Sequence, residues 1–271
     1  MEILEFNDIN FKDLRKSTYF GTNSVIYMNS NTCYKFFNSN IDRYEKIRIK
    51  RLFYELDGIN NNHLLLPENI IMKGNYFVGY TMKKVDGKTL NDYFLNNNKY
   101  MDCSYFFSII EKVTSIIKEL HMIGITITDL SFENILLDIN NNIYIADIDS
   151  FSYKNNVGQI ISILLTNYLN KYNRSIYRFD QNTDRLSLLL SILQVLYAIE
   201  PTRITNSYYN YYARRIKTLN NIKPLYKEII KYGGELDFIN YIDEDIVDES
   251  YIIDRKKQLK IRKEKCGVDS I

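Results

Sequence analysis

Tryptophan is absent from the 271 residues, proline occurs three times, glycine ten times and cysteine three times. The cysteines, Cys33, Cys103 and Cys266, are odd in number and far apart. That excludes a disulfide framework or a zinc spacing built from them and favours a reducing interior, so a cytoplasmic location is expected. No apolar run approaches the roughly 20 residues of a membrane span. The opening MEILEFNDINFKDLRK is charged throughout and lacks the apolar core of a signal peptide. An excess of one charge is missing too: the formal net charge is +2, so neither nucleic acid nor a membrane is called for as an obligatory partner.

What remains is the composition of an ordinary globular protein, 45% hydrophobic and 25% charged. The length allows one large domain or two lobes and a sizeable core. The 24 tyrosines and the many Asn, Ile and Lys residues read as a bias toward A/T-rich codons. Asn runs at 60–62, 96–98 and 140–142 read as turns on a folded chain. There is no internal repeat.

Along the chain, STYFG (17–21), SVIYMN (24–29) and TCYKFF (32–37) are short, aromatic and β-branched, with turn residues between them, and predict three strands. IDRYEKIRIKRLFYEL (41–56) has helical spacing, with Ile49, Leu52, Phe53 and Leu56 on one stripe. Two more strands are predicted at 69–74 and 76–82. After KKVDGKTL (83–90) the pattern turns helical: Ile109, Ile110, Val113, Ile116, Ile117 and Leu120 mark a buried stripe that Gly124 stops. ILLD and IYIAD are two strands joined by an Asn turn. DRLSLLLSILQVLYAI (184–199) is apolar on nearly every side yet too short to span a membrane, so it predicts a core helix. Residues 200–271 are expected to be largely helical, with the basic DRKKQLKIRKEK (254–265) read as a solvated helix face and a partner-binding patch as the alternative.

One stretch asks for more than a fold. In ITITDLSFENILLDINNNIYIADIDSF, Asp129 and Asn134 stand five residues apart before two apolar strands, and Asp147 ends the second. A hairpin needs none of these groups, whereas a site for a metal–nucleotide complex could need all three.

These residues resemble the protein-kinase superfamily over about 18–199. LHMIGITITDLSFENILLD is similar to the catalytic loop, H-R-D-L-x-x-x-x-N after a helix ending in Leu-His, with Asp129 and Asn134 at the matching offsets. IYIADID resembles the strand that ends in D-F-G, CYKFF the strand of the phosphate-binding lysine, MKKVDGKTL the hinge, and Asp184 the buried Asp that opens the central helix. The resemblance implies an α+β, bilobal fold: a five-stranded antiparallel N-lobe with one helix (1–85) and a mainly helical C-lobe (86–271). It implies ATP and Mg²⁺ as cofactors. Lys35 would hold the α- and β-phosphates, and a helix carboxylate would fix Lys35 by an ion pair. Asn134 and Asp147 would bind Mg²⁺ through hard oxygens, and Asp129 would orient the acceptor hydroxyl. Gly21 and Ser24 fall in the glycine-rich loop, and Ile26, Cys33, Met82, Val85 and Leu136 would enclose the adenine. For the carboxylate facing Lys35, Glu45 on the apolar stripe is preferred to Glu55, which is nearer the family's usual distance but off the stripe.

The pattern also departs from the family. Gly21 is the only glycine of its loop, and Ser131 replaces a lysine near the γ-phosphate. Thr128 replaces the arginine that receives an activation-segment phosphate. Asp149 stands where D-F-G has glycine, and is expected to cap the turn rather than to add charge beside the metal. The leading expectation is a divergent Ser/Thr-type protein kinase that transfers phosphate to protein hydroxyls. A small-molecule phosphotransferase of the same superfamily and an inactive nucleotide-binding scaffold are the alternatives.

Overall fold

Alternation of β-branched and aromatic residues with short turns builds the first half of the chain into a sheet. The computed structural model describes residues 1–20, 23–96, 100–171, 179–203 and 252–267. Strands β1 (Glu2–Glu5), β2 (Arg15–Phe20), β3 (Ser24–Met28), β4 (Thr32–Phe37), β5 (Pro67–Lys73) and β6 (Tyr76–Lys83) form one sheet in the order β1-β5-β6-β4-β3-β2. Five of them are antiparallel neighbours: short connections join β2 to β3, β3 to β4 and β5 to β6, while β6 returns beside β4 after α1 and β5. The sixth differs from expectation: β1 adds in parallel beside β5, pairing Ile3 with Ile70 and Leu4 with Ile71, so the sheet is mixed. The fold is α+β.

The sheet buries both faces by different means. One face carries Ile26, Lys35 and Tyr80 in a single cross-strand row, because residues directly opposite in adjacent antiparallel strands point the same way. Helix α1 (Arg43–Leu56) closes that side with Ile49, Leu52, Phe53 and Leu56, all buried, as the apolar stripe predicted. Asp42 caps it by accepting from the Glu45 amide at 2.8 Å, and the Phe53 ring lies 4.8 Å from that of Tyr80. The other face carries Tyr27 and Phe36. Phe6 and Phe11, on two short 3-10 turns, cover it with ring centroids 5.7 and 5.5 Å from that of Phe36.

The described chain divides into two compact units. The first joins Met1–Gly87 with Leu136–Gly158, and the second joins Lys88–Ile135 with Gln159–Ile271. From Leu136 on, the hairpin of β9 (Ile135–Asp138) and β10 (Ile143–Ile145) groups with the first unit. Backbone hydrogen bonds account for this: Leu65 donates to the Ile145 carbonyl at 3.0 Å and Ile145 to that of His63 at 2.7 Å. The His63 ring adds a contact with the Ile143 carbonyl at 2.9 Å. Gly87, opening the short strand β7 (Gly87–Thr89), packs so closely that a Cβ there would lie 2.6 Å from the Leu137 carbonyl oxygen.

In the second unit, α2 (Cys103–Met122) buries Phe106, Ile109, Ile110, Val113, Ile117 and Leu120. Gly124, with φ +83, ends that run as expected. Helix α3 (Ile163–Lys171) precedes α4 (Gln181–Tyr197). The latter is buried on nearly every side and begins with a capping box between Asp180 and Thr183. Among the described residues no helix is long and apolar enough to cross a membrane.

Strand β8 (Tyr100–Asp102) pairs antiparallel with β11 (Ile252–Asp254), which runs into α5 (Arg255–Cys266). The expectation for this basic segment is corrected in part. Its helix exposes Lys256, Lys257 and Lys260, but Arg255, Gln258 and Arg262 are buried. Arg255 donates to the carbonyls of Val195 at 2.7 Å and Phe94 at 2.6 Å, Gln258 to that of Leu196 at 2.6 Å, and Arg262 to that of Ala198. Helix α4 leaves its last carbonyls without intrahelical donors, and α5 supplies them. The helical expectation for residues 204–251 lies outside the described residues.

Candidate functional site

Two groups of polar side chains, one in each unit, are built by different local devices. In the first unit Lys35 sits mid-strand on β4 and is only 6% exposed. Its ammonium donates to the carboxylate of Asp147 and reaches Asp149 Oδ2 at 3.0 Å. The turn after β10 makes both contacts possible. Asp147 takes a left-handed backbone (φ 60, ψ 41), which Asp tolerates better than most residues. A 3-10 turn over Ile148–Ser150 then swings Asp149 back toward Lys35.

Electrostatics follow from this crowding. Burial alone would drive the Lys35 ammonium down, but Asp147 and Asp149 outweigh it and hold the pKa well above the ordinary lysine value. Burial raises Asp149, the neighbouring Asp147 charge raises it further, and its pKa reaches about 7. Burial opposes ionisation of Asp147 as well, yet Lys35 beside it brings the net shift below the ordinary value. The group holds two carboxylates against one ammonium, and Asp147 keeps 34% of its side-chain surface exposed. A hard divalent cation fits a partly exposed carboxylate.

The expected partner of Lys35 is corrected. Glu45 does not hold it: both Glu45 oxygens accept from Arg48, at 2.8 Å each. One turn of helix places Arg48 within reach of Glu45, and the planar guanidinium fits a carboxylate in two-pronged fashion. Glu55, the alternative, pairs with Arg51 at 3.1 Å and accepts from Asn156. The expectation for Asp149 is corrected too. The left-handed residue of the turn is Asp147, and the Asp149 side chain serves as counter-charge to Lys35.

Of the remaining first-unit candidates, Ser24, Ile26, Cys33 and Met82 lie on the Lys35 face, Val85 follows β6 and Leu136 lies on β9. Ser24 and Ile26 lie on β3 opposite Phe37 and Lys35, and Cys33 lies opposite Met82. Ser24 and Met82 are buried, while Ile26, Cys33, Val85 and Leu136 are half-buried. Burial raises the Cys33 thiol pKa. Gly21 lies outside the described residues.

In the second unit the carboxylate of Asp184, fully buried at the start of α4, gathers the chain that carries Asp129. It accepts from the Ile127 amide at 2.8 Å and lies 2.8 Å from His121 Nε2. The Thr128 amide donates to its other oxygen. Burial raises the Asp184 pKa, and the His121 contact and the two amides pull against that rise. Thr128 has φ 62, a rare conformation for a β-branched residue. The Asp129 amide closes a tight turn across it onto the Ile127 carbonyl at 2.8 Å. Strain of that kind persists only where surrounding contacts over-determine it. Asp129 is half-buried, and its carbonyl accepts from Asn134 Nδ2 at 2.9 Å. With its nitrogen so used, the oxygen is the end of the Asn134 amide that a hard cation would take.

Among the described residues no group of three or more His, Cys, Asp or Glu side chains is placed to hold a metal ion. Mg²⁺ needs no such group: it keeps several waters and takes one or two protein oxygens alongside substrate phosphates. Sequence reasoning missed Arg48, whose only signal was its i,i+3 spacing from Glu45. No protein-family model matches the chain, and no curated protein does.

Proposed function

We propose that the protein is a phosphotransferase of the protein-kinase-like, bilobal type, using Mg·ATP to phosphorylate protein hydroxyls. The observation that carries this reading is the buried Lys35 on a central strand, in contact with a partly exposed Asp147 at the end of a hairpin. A second support is the Asp129–Asn134 loop, which a buried Asp184 pins by its backbone. Phosphoryl transfer asks a protein chiefly to position groups and neutralise charge, and these side chains are of the types that do so.

In this reading Lys35 holds phosphate oxygens, and Asp147 and Asn134 are the residues that would hold Mg²⁺. The cation, when bound, neutralises the charge that develops on the transferred phosphoryl group. Asp129 accepts the proton of the acceptor hydroxyl and aligns it. Ile26, Cys33, Met82, Val85 and Leu136 offer the apolar surface for a purine.

The test is incubation of the purified chain with γ-labelled ATP and Mg²⁺, with protein acceptors and a small-molecule extract supplied separately. Label on protein is the expected result. Label confined to a small molecule would move the acceptor class to metabolites. Nucleotide binding without transfer would make the chain a binding module. Saturating Mg·ATP should raise the melting temperature by mass action, and no shift at millimolar concentration would overturn the reading. Asp129→Asn should abolish transfer while keeping that shift, whereas Asp147→Asn should lose both transfer and the Mg²⁺-dependent part of the shift.

A further inference from the structure

A buried ammonium keeps its charge only with counter-charges against it. Among the described residues Lys35 has two, Asp147 and Asp149, and neither comes from α1. Asp147 is the carboxylate assigned above to the metal. Once its oxygens turn to a cation, the counter-charge left on Lys35 is Asp149, whose oxygens lie 3.0 and 3.1 Å from the ammonium.

Asp149 is itself held from behind. Arg48 donates to its backbone carbonyl and to that of Phe151, the latter at 3.3 Å. The guanidinium is locked in turn by Glu45. Contacts therefore run in series from Glu45 to Arg48 to Asp149 to Lys35. The turn does not need the Asp149 carboxylate for its own closure. Ser150 Oγ donates to the Asp147 carbonyl at 3.0 Å, and the Phe151 amide to that of Ile148 at 3.1 Å.

We infer that Asp149 is the positioning residue for Lys35, and that Arg48 is the link through which helix α1 sets Asp149. What Lys35 holds rests on the phosphotransfer reading, while the positioning itself does not. Helix α1 acts on the lysine at one remove, through a guanidinium and a peptide carbonyl rather than its own carboxylate. A displacement of α1 therefore shifts Lys35 and the turn carrying Asp147 together.

The test uses Asp149→Asn, which keeps the side-chain shape and the carbonyl that Arg48 holds. Acetylation of Lys35 by an N-hydroxysuccinimide ester, followed by peptide mass at fixed pH, reports how firmly the amine is held. The rate should rise about tenfold in Asp149→Asn, as loss of a charge-assisted contact implies. It should return toward wild type in Asp149→Glu. Affinity for Mg·ATP should fall about tenfold in Asp149→Asn. Arg48→Gln, which leaves both carboxylates in place, should raise the acetylation rate in the same direction and serves if Asp149→Asn does not fold. Unchanged acetylation in the folded variant overturns the inference whatever happens to nucleotide binding. Faster acetylation in a protein whose wild type binds no Mg·ATP supports the positioning role and overturns the phosphotransfer reading.

Discussion

The carboxylate of Asp184 accepts a hydrogen bond from the backbone amide of Thr128 at 2.8 Å, although the two residues lie 56 positions apart. The Ile127 amide and His121 Nε2 meet the same carboxylate. Asp184→Ala strands these buried donors together. Unmade hydrogen bonds of this kind cost about 1–3 kcal/mol each, so the unfolding free energy should fall by about 3–5 kcal/mol. Urea titration should show a lower midpoint at an unchanged slope. A loss under about 1 kcal/mol would contradict the pinning role.

Activity should not depend on phosphorylation of the segment after Asp147. Thr128 carries no charge to receive a phosphate, and Lys171, Arg174 and Arg178 could substitute only if the segment folds back on itself; Lys171 ends α3, and the two arginines lie outside the described residues. The first part of the segment is already tied to α1, by Arg48 at Asp149 and Phe151 and by Glu55 at Asn156. Transfer activity should therefore survive phosphatase treatment, with the phosphorylation state read from intact mass. A large loss that is restored by rephosphorylating Ser152, Tyr153 or Thr166 would refute this.

Gly79→Ala should weaken the sheet beside Lys35. A Cβ at Gly79 would collide with the Lys35 carbonyl oxygen, which belongs to backbone and cannot rotate away. Overpacking of this kind costs about 1–3 kcal/mol. The melting temperature should fall, and Lys35-dependent nucleotide binding should weaken with it. An unchanged melting temperature would show that β4 and β6 separate freely.

Cys103 should resist alkylation in the folded protein. Burial, partly opposed by the charge of Arg255, pushes its thiol up to about 12. At pH 8 only about one thiol in ten thousand is then ionised, and the thiolate is the reactive form. Since that pKa lies above the working range, the native-state rate should climb about tenfold per pH unit. Peptide mass after brief iodoacetamide treatment at pH 7 and 8 checks this. Labelling of Cys103 as fast as that of an unfolded control would show that α2 does not bury it.

Strands β2–β6, β9 and β10, α1, α2 and the core helix were legible because their apolar periods are local properties of the chain, whereas the short strands β1, β7, β8 and β11 were not. β4 matches the span read from TCYKFF, and the α1 stripe of Ile49, Leu52, Phe53 and Leu56 is buried in full. Partner choice was not legible. Glu45 lay on the right face, but two cations competed for it, and the nearer, Arg48, won by a turn of helix. The Lys35–Asp149 contact depends on one left-handed residue, Asp147, which no periodicity announces. Arg255 and Arg262 read as solvated because a run of basic residues shows its charge and not the carbonyls that await it.

Arg255 joins residues that are made far apart in time. Its guanidinium reaches the Phe94 carbonyl across 161 positions and the Val195 carbonyl across 60, and β11 pairs with β8 over a similar interval. Closing so long a loop delays contacts that nearer neighbours make early. The last carbonyls of α4 can receive these donors only after residue 262 has been synthesised. During translation the carbonyls of Val195, Leu196 and Ala198 therefore wait for donors from a segment that reads on paper as a charged tail.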